Sequence, residues 1–118
     1  MPEEQINYET LAVIKHHLEA VLSGDPTAMA YDYSESAVIE RETEKYAGIT
    51  QITAYFETVP DRMGSAIIEF GEPEVVGEIA SFKWRITSDD SISSGFDTVV
   101  IRNGQIVKQV VKLDSIDF

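Results

Sequence analysis

Asp97 stands in a strand-like run, residues 91–102, whose alternation places it on one face with Val99 and Ile101 while Phe96, Thr98 and Val100 take the other. A carboxyl buried this way is driven toward its neutral form unless a cation keeps it charged, and His17 or Arg41 is available for that role. Neutral, Asp97 donates a hydrogen bond to a developing oxyanion; ionised, it orients a histidine as general base. The plainer reading is an acid paired with a basic neighbour for stability. His17 lies at the edge of an apolar helical stripe, beside Ile14 and Val21, where an imidazole can exchange a proton inside a pocket or simply finish the core boundary. Its neighbour His16 projects toward solvent.

Glu40 and Arg41 are consecutive in an extended stretch, so only one of them faces inward unless the strand bulges. With Glu40 inward the pocket has a base. With Arg41 inward it has a fork of fixed donors for a carboxylate or enolate. A solvated ribbon of alternating charge is the third option. Glu40, Glu42 and Glu44 do not suggest a metal, because carboxylates spaced by two along a strand spread over about 13 Å. Tyr33, Tyr55 and Trp84 are candidate pocket walls, although aromatics at such spacing also serve as plain core. No phosphate-binding glycine loop, nucleophile elbow or zinc signature is present, and the reading requires neither metal nor cofactor.

The elements that must position these groups can be read from periodicity. Residues 7–23 predict a helix with Asn7 as cap and Leu11, Ile14, Leu18, Val21 and Leu22 as its stripe. Gly24-Asp25-Pro26 ends it and starts a short second helix over 26–33. Residues 38–46 read as one extended polar ribbon. A third helix spans 50–59 and stops at Pro60-Asp61. Beyond Gly64 the period becomes two: an interrupted strand over 67–76, a clean one with Ala80, Phe82, Trp84 and Ile86 inward, and the 91–102 strand joined by Asn103-Gly104 to a last one over 105–113. This predicts an α+β fold with three N-terminal helices on one face of a curved antiparallel sheet.

The 118 residues suit one domain, 1–118. A net charge of −12, from 21 acids against 9 bases, opposes nucleic acid and anionic membranes as partners. No apolar stretch approaches the roughly 20 residues needed to cross a bilayer. The acidic start, Met1-Pro2-Glu3-Glu4-Gln5, is unlike a secretory signal, and the absence of cysteine fits a cytoplasmic location while excluding disulfides and a thiol nucleophile.

Four stretches in order carry a family resemblance: His17-Leu18-Glu19-Ala20-Val21-Leu22-Ser23-Gly24-Asp25, Tyr33-Ser34-Glu35-Ser36-Ala37-Val38-Ile39-Glu40, Gly48-Ile49-Thr50-Gln51-Ile52, and the Asp97-Thr98-Val99-Val100-Ile101-Arg102-Asn103-Gly104-Gln105-Ile106-Val107 hairpin. The chain resembles the nuclear transport factor 2-like (NTF2-like) superfamily, and within it the ketosteroid isomerase and SnoaL-like polyketide cyclase group. The resemblance implies a cone-shaped fold and a homodimer paired through the sheet. It places His17 where an isomerase carries an oxyanion-hole tyrosine, Asp97 where it carries a protonated aspartic acid, and Tyr33 at a supporting tyrosine, with Phe56 replacing a second. The catalytic base falls on Arg41, with Glu40 one residue earlier. An arginine stays protonated and cannot be that base, so the standard steroid mechanism does not carry over.

The expectation is therefore an isomerase- or cyclase-like protein acting on a small apolar or anionic carbonyl compound. In it Asp97, His17 and Glu40 are the catalytic candidates, and Arg41, Tyr33, Tyr55 and Trp84 the substrate-binding ones. Its rivals are a non-catalytic module that binds a hydrophobic molecule or dimerises, and an assembly domain exposing Phe96, Val100 and Val110.

Overall fold

The computed structural model describes residues 3–114. Helix α1 (Glu3–Ser23) buries Ile14, His17 and Leu18, which lie on one stripe because they are spaced by three and four. It begins four residues before Asn7. That side chain does not cap the helix; it accepts the backbone N–H of Gly77 at 2.6 Å and ties α1 to a sheet turn. Helix α2 (Pro26–Tyr31) starts as expected, with the Asp25 carboxyl accepting the Thr27 N–H at 3.0 Å and proline in the first turn.

The expected ribbon over 38–46 is a hairpin. Strand β1 (Tyr33–Arg41) pairs antiparallel with β2 (Glu44–Ala47), and Glu42 takes a positive φ of 49° in the turn between them. Charge on both strands hid that turn, since a run without apolar alternation gives no sign of where it reverses. Helix α3 (Ile49–Glu57) follows Gly48, whose φ of 85° is a conformation that costs a side chain dearly. Pro60 does not end the helical region; it lies in the first turn of a further short helix, α4 (Val59–Met63).

The interrupted strand over 67–76 is two strands, β3 (Ile67–Phe70) and β4 (Glu74–Val76), both paired with β5 (Ile79–Thr87). Strands β6 (Ile92–Arg102) and β7 (Gln105–Leu113) form the hairpin marked by Asn103-Gly104. The sheet runs β2-β1-β7-β6-β5-β3. It is mixed rather than wholly antiparallel, because β1 and β7 run parallel. The core lies between this curved sheet and the helices, and contains Ile14, Met29, Ile39, Ile52, Val99 and Ile106 with almost no exposed surface. No helix among the described residues is long and apolar enough to cross a membrane.

Candidate functional site

Two rows of the sheet place the polar side chains. In one row Arg41 on β1, Val111 on β7, Asp97 on β6 and Phe82 on β5 are register partners; in the next stand Ile39, Gln109, Val99 and Ala80. All eight are buried, so this face looks toward the helices. Arg41 and Asp97 are thus two strands apart, about 10 Å between backbones, with a long side chain to close the gap. They help line a cavity of about 490 Å³ whose remaining wall is mostly apolar and comes from all four helices, from β3 and from the inner faces of β1, β5 and β7.

Asp97 is 6% exposed and is the single carboxylate lining this cavity among the described residues. Its two oxygens accept from different donors: Oδ1 from the Trp84 indole N–H at 2.8 Å and Oδ2 from the Gln109 amide at 2.7 Å. Burial raises its carboxyl from the ordinary 3.8 to about 6, against the opposing pull of those two hydrogen bonds and the positive charge of Arg41. The reach of Trp84 depends on its partner across the β5–β6 pair, which is Gly95. A Cβ there would lie 2.3 Å from the indole and 2.6 Å from the Lys112 carbonyl oxygen. The ring therefore leans over bare backbone toward Asp97, one diagonal position away.

Arg41 is 4% exposed, and its guanidinium donates to the Tyr55 hydroxyl at 3.2 Å. The Arg62 guanidinium from α4 stands 5.1 Å from the centre of the same tyrosine ring, a cation–π arrangement. Of the two residues competing for the inward position, Arg41 therefore enters the cavity. Glu40 does not: strand alternation turns it to the outer face, where it lies half-buried 3.8 Å from Lys108. The structure corrects the expectation of a Glu40 base on that ground.

His17 is 2% exposed and lines the cavity, and burial lowers its imidazole to about 4. It does not bond Asp97 directly. The path runs from His17 Nε2 to the Tyr33 hydroxyl at 3.3 Å, from that hydroxyl to Gln109 Oε1, and from Gln109 Nε2 to Asp97. Tyr33 stands behind the cavity wall rather than on it, with its hydroxyl committed to Gln109 and His17, so it supports the site instead of meeting a ligand. Tyr55 and Trp84 do line the cavity. Phe82, whose spacing alone would make it core, also forms part of the wall.

Gln109 is the residue that sequence reasoning missed, and a bulge explains why. Val100 pairs with Lys108 but Ile101 pairs with Ile106, so Val107 is an extra residue in β7. Strict alternation from the buried Ile106 would turn Gln109 outward. The extra residue turns it in, to 6% exposure. Nothing in the local sequence marks this reversal.

No family model matches the chain, and no curated protein matches it. Solved structures do. An NTF2-like protein of unknown function from Mesorhizobium loti aligns with a TM-score of 0.82 at 18% identity, covering 92% of this chain and 93% of that one. A structure named as a candidate ketosteroid isomerase from Kribbella flavida aligns at 0.82 with 13% identity, covering 95% and 82%. A candidate isomerase of the SnoaL-like family from Agrobacterium tumefaciens aligns at 0.75 with 22% identity, covering 92% and 99%. These likenesses establish the fold: the chain has the NTF2-like architecture, shared with proteins named as isomerases and polyketide cyclases. At such identities the activity has to be argued from the cavity itself.

Proposed function

We propose that this cavity is the active site of an isomerase- or cyclase-type enzyme that moves a proton on a largely apolar, enolisable carbonyl compound. One observation carries the reading: a single buried carboxylate, raised to about 6 and held by two neutral N–H donors, opens onto a cavity that also contains a buried guanidinium. At neutral pH Asp97 is mostly ionised yet basic enough to accept a proton from carbon adjacent to a carbonyl. The negative charge then develops on the carbonyl oxygen, where Arg41 and the Tyr55 hydroxyl can hold it as an enolate. Returning the proton to another carbon gives an isomer; attack of the enolate carbon on a second carbonyl of the same molecule gives a ring and an alkoxide, which takes the proton back from Asp97. Atoms and charge balance in both without an oxidant. Apolar walls keep water from competing for the proton and strengthen both charges.

The experiment is solvent deuterium exchange. Ketones and β-dicarbonyl compounds are incubated with the protein in heavy water and followed by proton NMR. The expected result is exchange at the acidic carbon with the wild type and a loss of about 10²-fold or more with Asp97→Asn. Exchange that survives the substitution removes Asp97 from the mechanism.

A second reading, a non-catalytic module binding a hydrophobic molecule, is favoured by Arg41 occupying the place that the resemblance gives to a base. It predicts binding without exchange. Ile79, Ile92 and Phe96 are exposed on the outer face of the sheet, which supports the expected homodimer through that face; light scattering at about twice the chain mass is the check.

A further inference from the structure

The hydrogen bonds behind Asp97 have a direction. The Gln109 amide has one donor end and one acceptor end, and its Nε2–H points at Asp97 Oδ2, which leaves Oε1 for the Tyr33 hydroxyl. Having given its one proton to Gln109, the Tyr33 oxygen can only accept from His17 Nε2, 3.3 Å away. His17 must then carry its proton on Nε2 and leave the buried Nδ1 bare, against the pull of the Met29 backbone, which favours a protonated ring. We infer that Gln109 is the positioning residue of this site, an amide whose N–H is turned toward Asp97 because Tyr33 and the Nε2–H tautomer of His17 lock its polarity from behind. The inference rests on the proposed role of Asp97 as a base, and it explains how that base is kept aimed.

The opposite direction is chemically complete and therefore a real competitor. With the His17 proton on Nδ1, Tyr33 would donate to Nε2, the amide of Gln109 would reverse, and a protonated Asp97 would donate to it. The Met29 backbone, which favours the protonated imidazole, is the group that would support this arrangement. The two arrangements assign opposite chemistry to Asp97: a base in the first, an oxyanion donor in the second. The groups around the carboxyl are Arg41 and Tyr33 on β1, Trp84 on β5, Gln109 on β7, His17 on α1 and Tyr55 on α3. Of these Arg41 alone is cationic near neutrality. The cavity residues of β3 and α4 are apolar, apart from the backbone they share.

Two readouts that need no substrate test this. In protein with ¹⁵N-labelled histidine at pH 7, two-bond correlation spectra are expected to show His17 with a protonated Nε2 and a bare Nδ1. A protonated Nδ1 with a bare Nε2 would overturn the inference. In protein with ¹³C-labelled aspartate, the carboxyl titration of Asp97 is expected to shift upward in Gln109→Leu, which removes a hydrogen bond to the ionised form, and by less in Tyr33→Phe, which only unlocks the amide. A midpoint unchanged or lowered in folded Gln109→Leu overturns it as well. If that variant does not fold, Tyr33→Phe and the wild-type tautomer decide. Failure of every carbonyl compound to exchange would count against the proposed reaction while leaving these two results intact.

Discussion

Asp32 and Asp97 are almost equally buried, at 8% and 6%, yet they are held in opposite ways. Asp32, at the end of α2, faces His16, whose ring Nδ1 lies 2.8 Å from its carboxylate while the imidazole remains more than half exposed. Asp97 is not bonded to a histidine; its hydrogen-bond donors are an indole and an amide, both neutral, and the charge of Arg41 adds a weaker pull. A cationic partner stabilises the charge of a buried acid and ties it to the fold. Neutral donors fix the orientation of the acid but leave it close to the point where it gains or loses a proton. The first arrangement suits stability and the second suits chemistry.

That contrast can be broken at several points. The largest effect on stability is expected at Asp97 itself. Its folded value of about 6 lies above the ordinary 3.8, so between those two pH values the native state holds a proton that the unfolded chain has released, and stability falls as pH rises through the window. Above it the ionised carboxylate costs on the order of 3 kcal/mol. Asp97→Asn should therefore unfold at higher urea than the wild type at pH 8, with the gap narrowing as the pH is taken below about 6. A constant gap across that range would show that Asp97 titrates like an exposed acid.

Gly95→Ala comes next. The added methyl collides with Trp84, and about 1–3 kcal/mol of stability should be lost along with the Trp84 hydrogen bond to Asp97. Trp84 is the single tryptophan of the chain, so its fluorescence reports the displacement directly. An unchanged spectrum would mean that the ring does not need the bare backbone.

The His16 pair should give a smaller effect of the same pH sign, because here too the folded state holds a proton more tightly than the unfolded chain, but its variant departs from the wild type in acid rather than in alkali. The Asp32 carboxylate raises the His16 imidazole above 6.5, so the contribution is complete below 6.5 and is lost as pH rises through the raised folded value. Urea midpoints of wild type and His16→Gln should differ most at pH 6 and converge in alkali. Convergence in acid instead would reverse the assignment. The smallest effect is expected at Glu40, outside the cavity and half-exposed beside Lys108. Glu40→Gln should leave stability within about 0.5 kcal/mol and deuterium exchange unaltered.

Much of this arrangement is legible in the residues. Period two from Ala80 to Ile86 fixes the inward face of β5, Asn103-Gly104 fixes the β6–β7 hairpin, and together they place Asp97 and Trp84 on the face that forms the cavity. The choice between Glu40 and Arg41 was not legible, because β1 carries an apolar residue on each side, Val38 with Glu40 and Ile39 with Arg41, and neither names the interior. Only pairing β1 against β7 sets it. Gln109 was hidden by one extra residue in β7, and the link from His17 to Asp97 was hidden with it. Local periodicity thus identified the acid and the aromatic, whereas the partners that tune the acid depend on register between distant strands.

The most direct test of the account is the pH profile of deuterium exchange on a ketone that the protein turns over. With Asp97 as the base, the rate should rise from pH 5 to 7 with a midpoint near 6, and that limb should vanish in Asp97→Asn. A profile that is flat over this range, or the same limb in the variant, would contradict it.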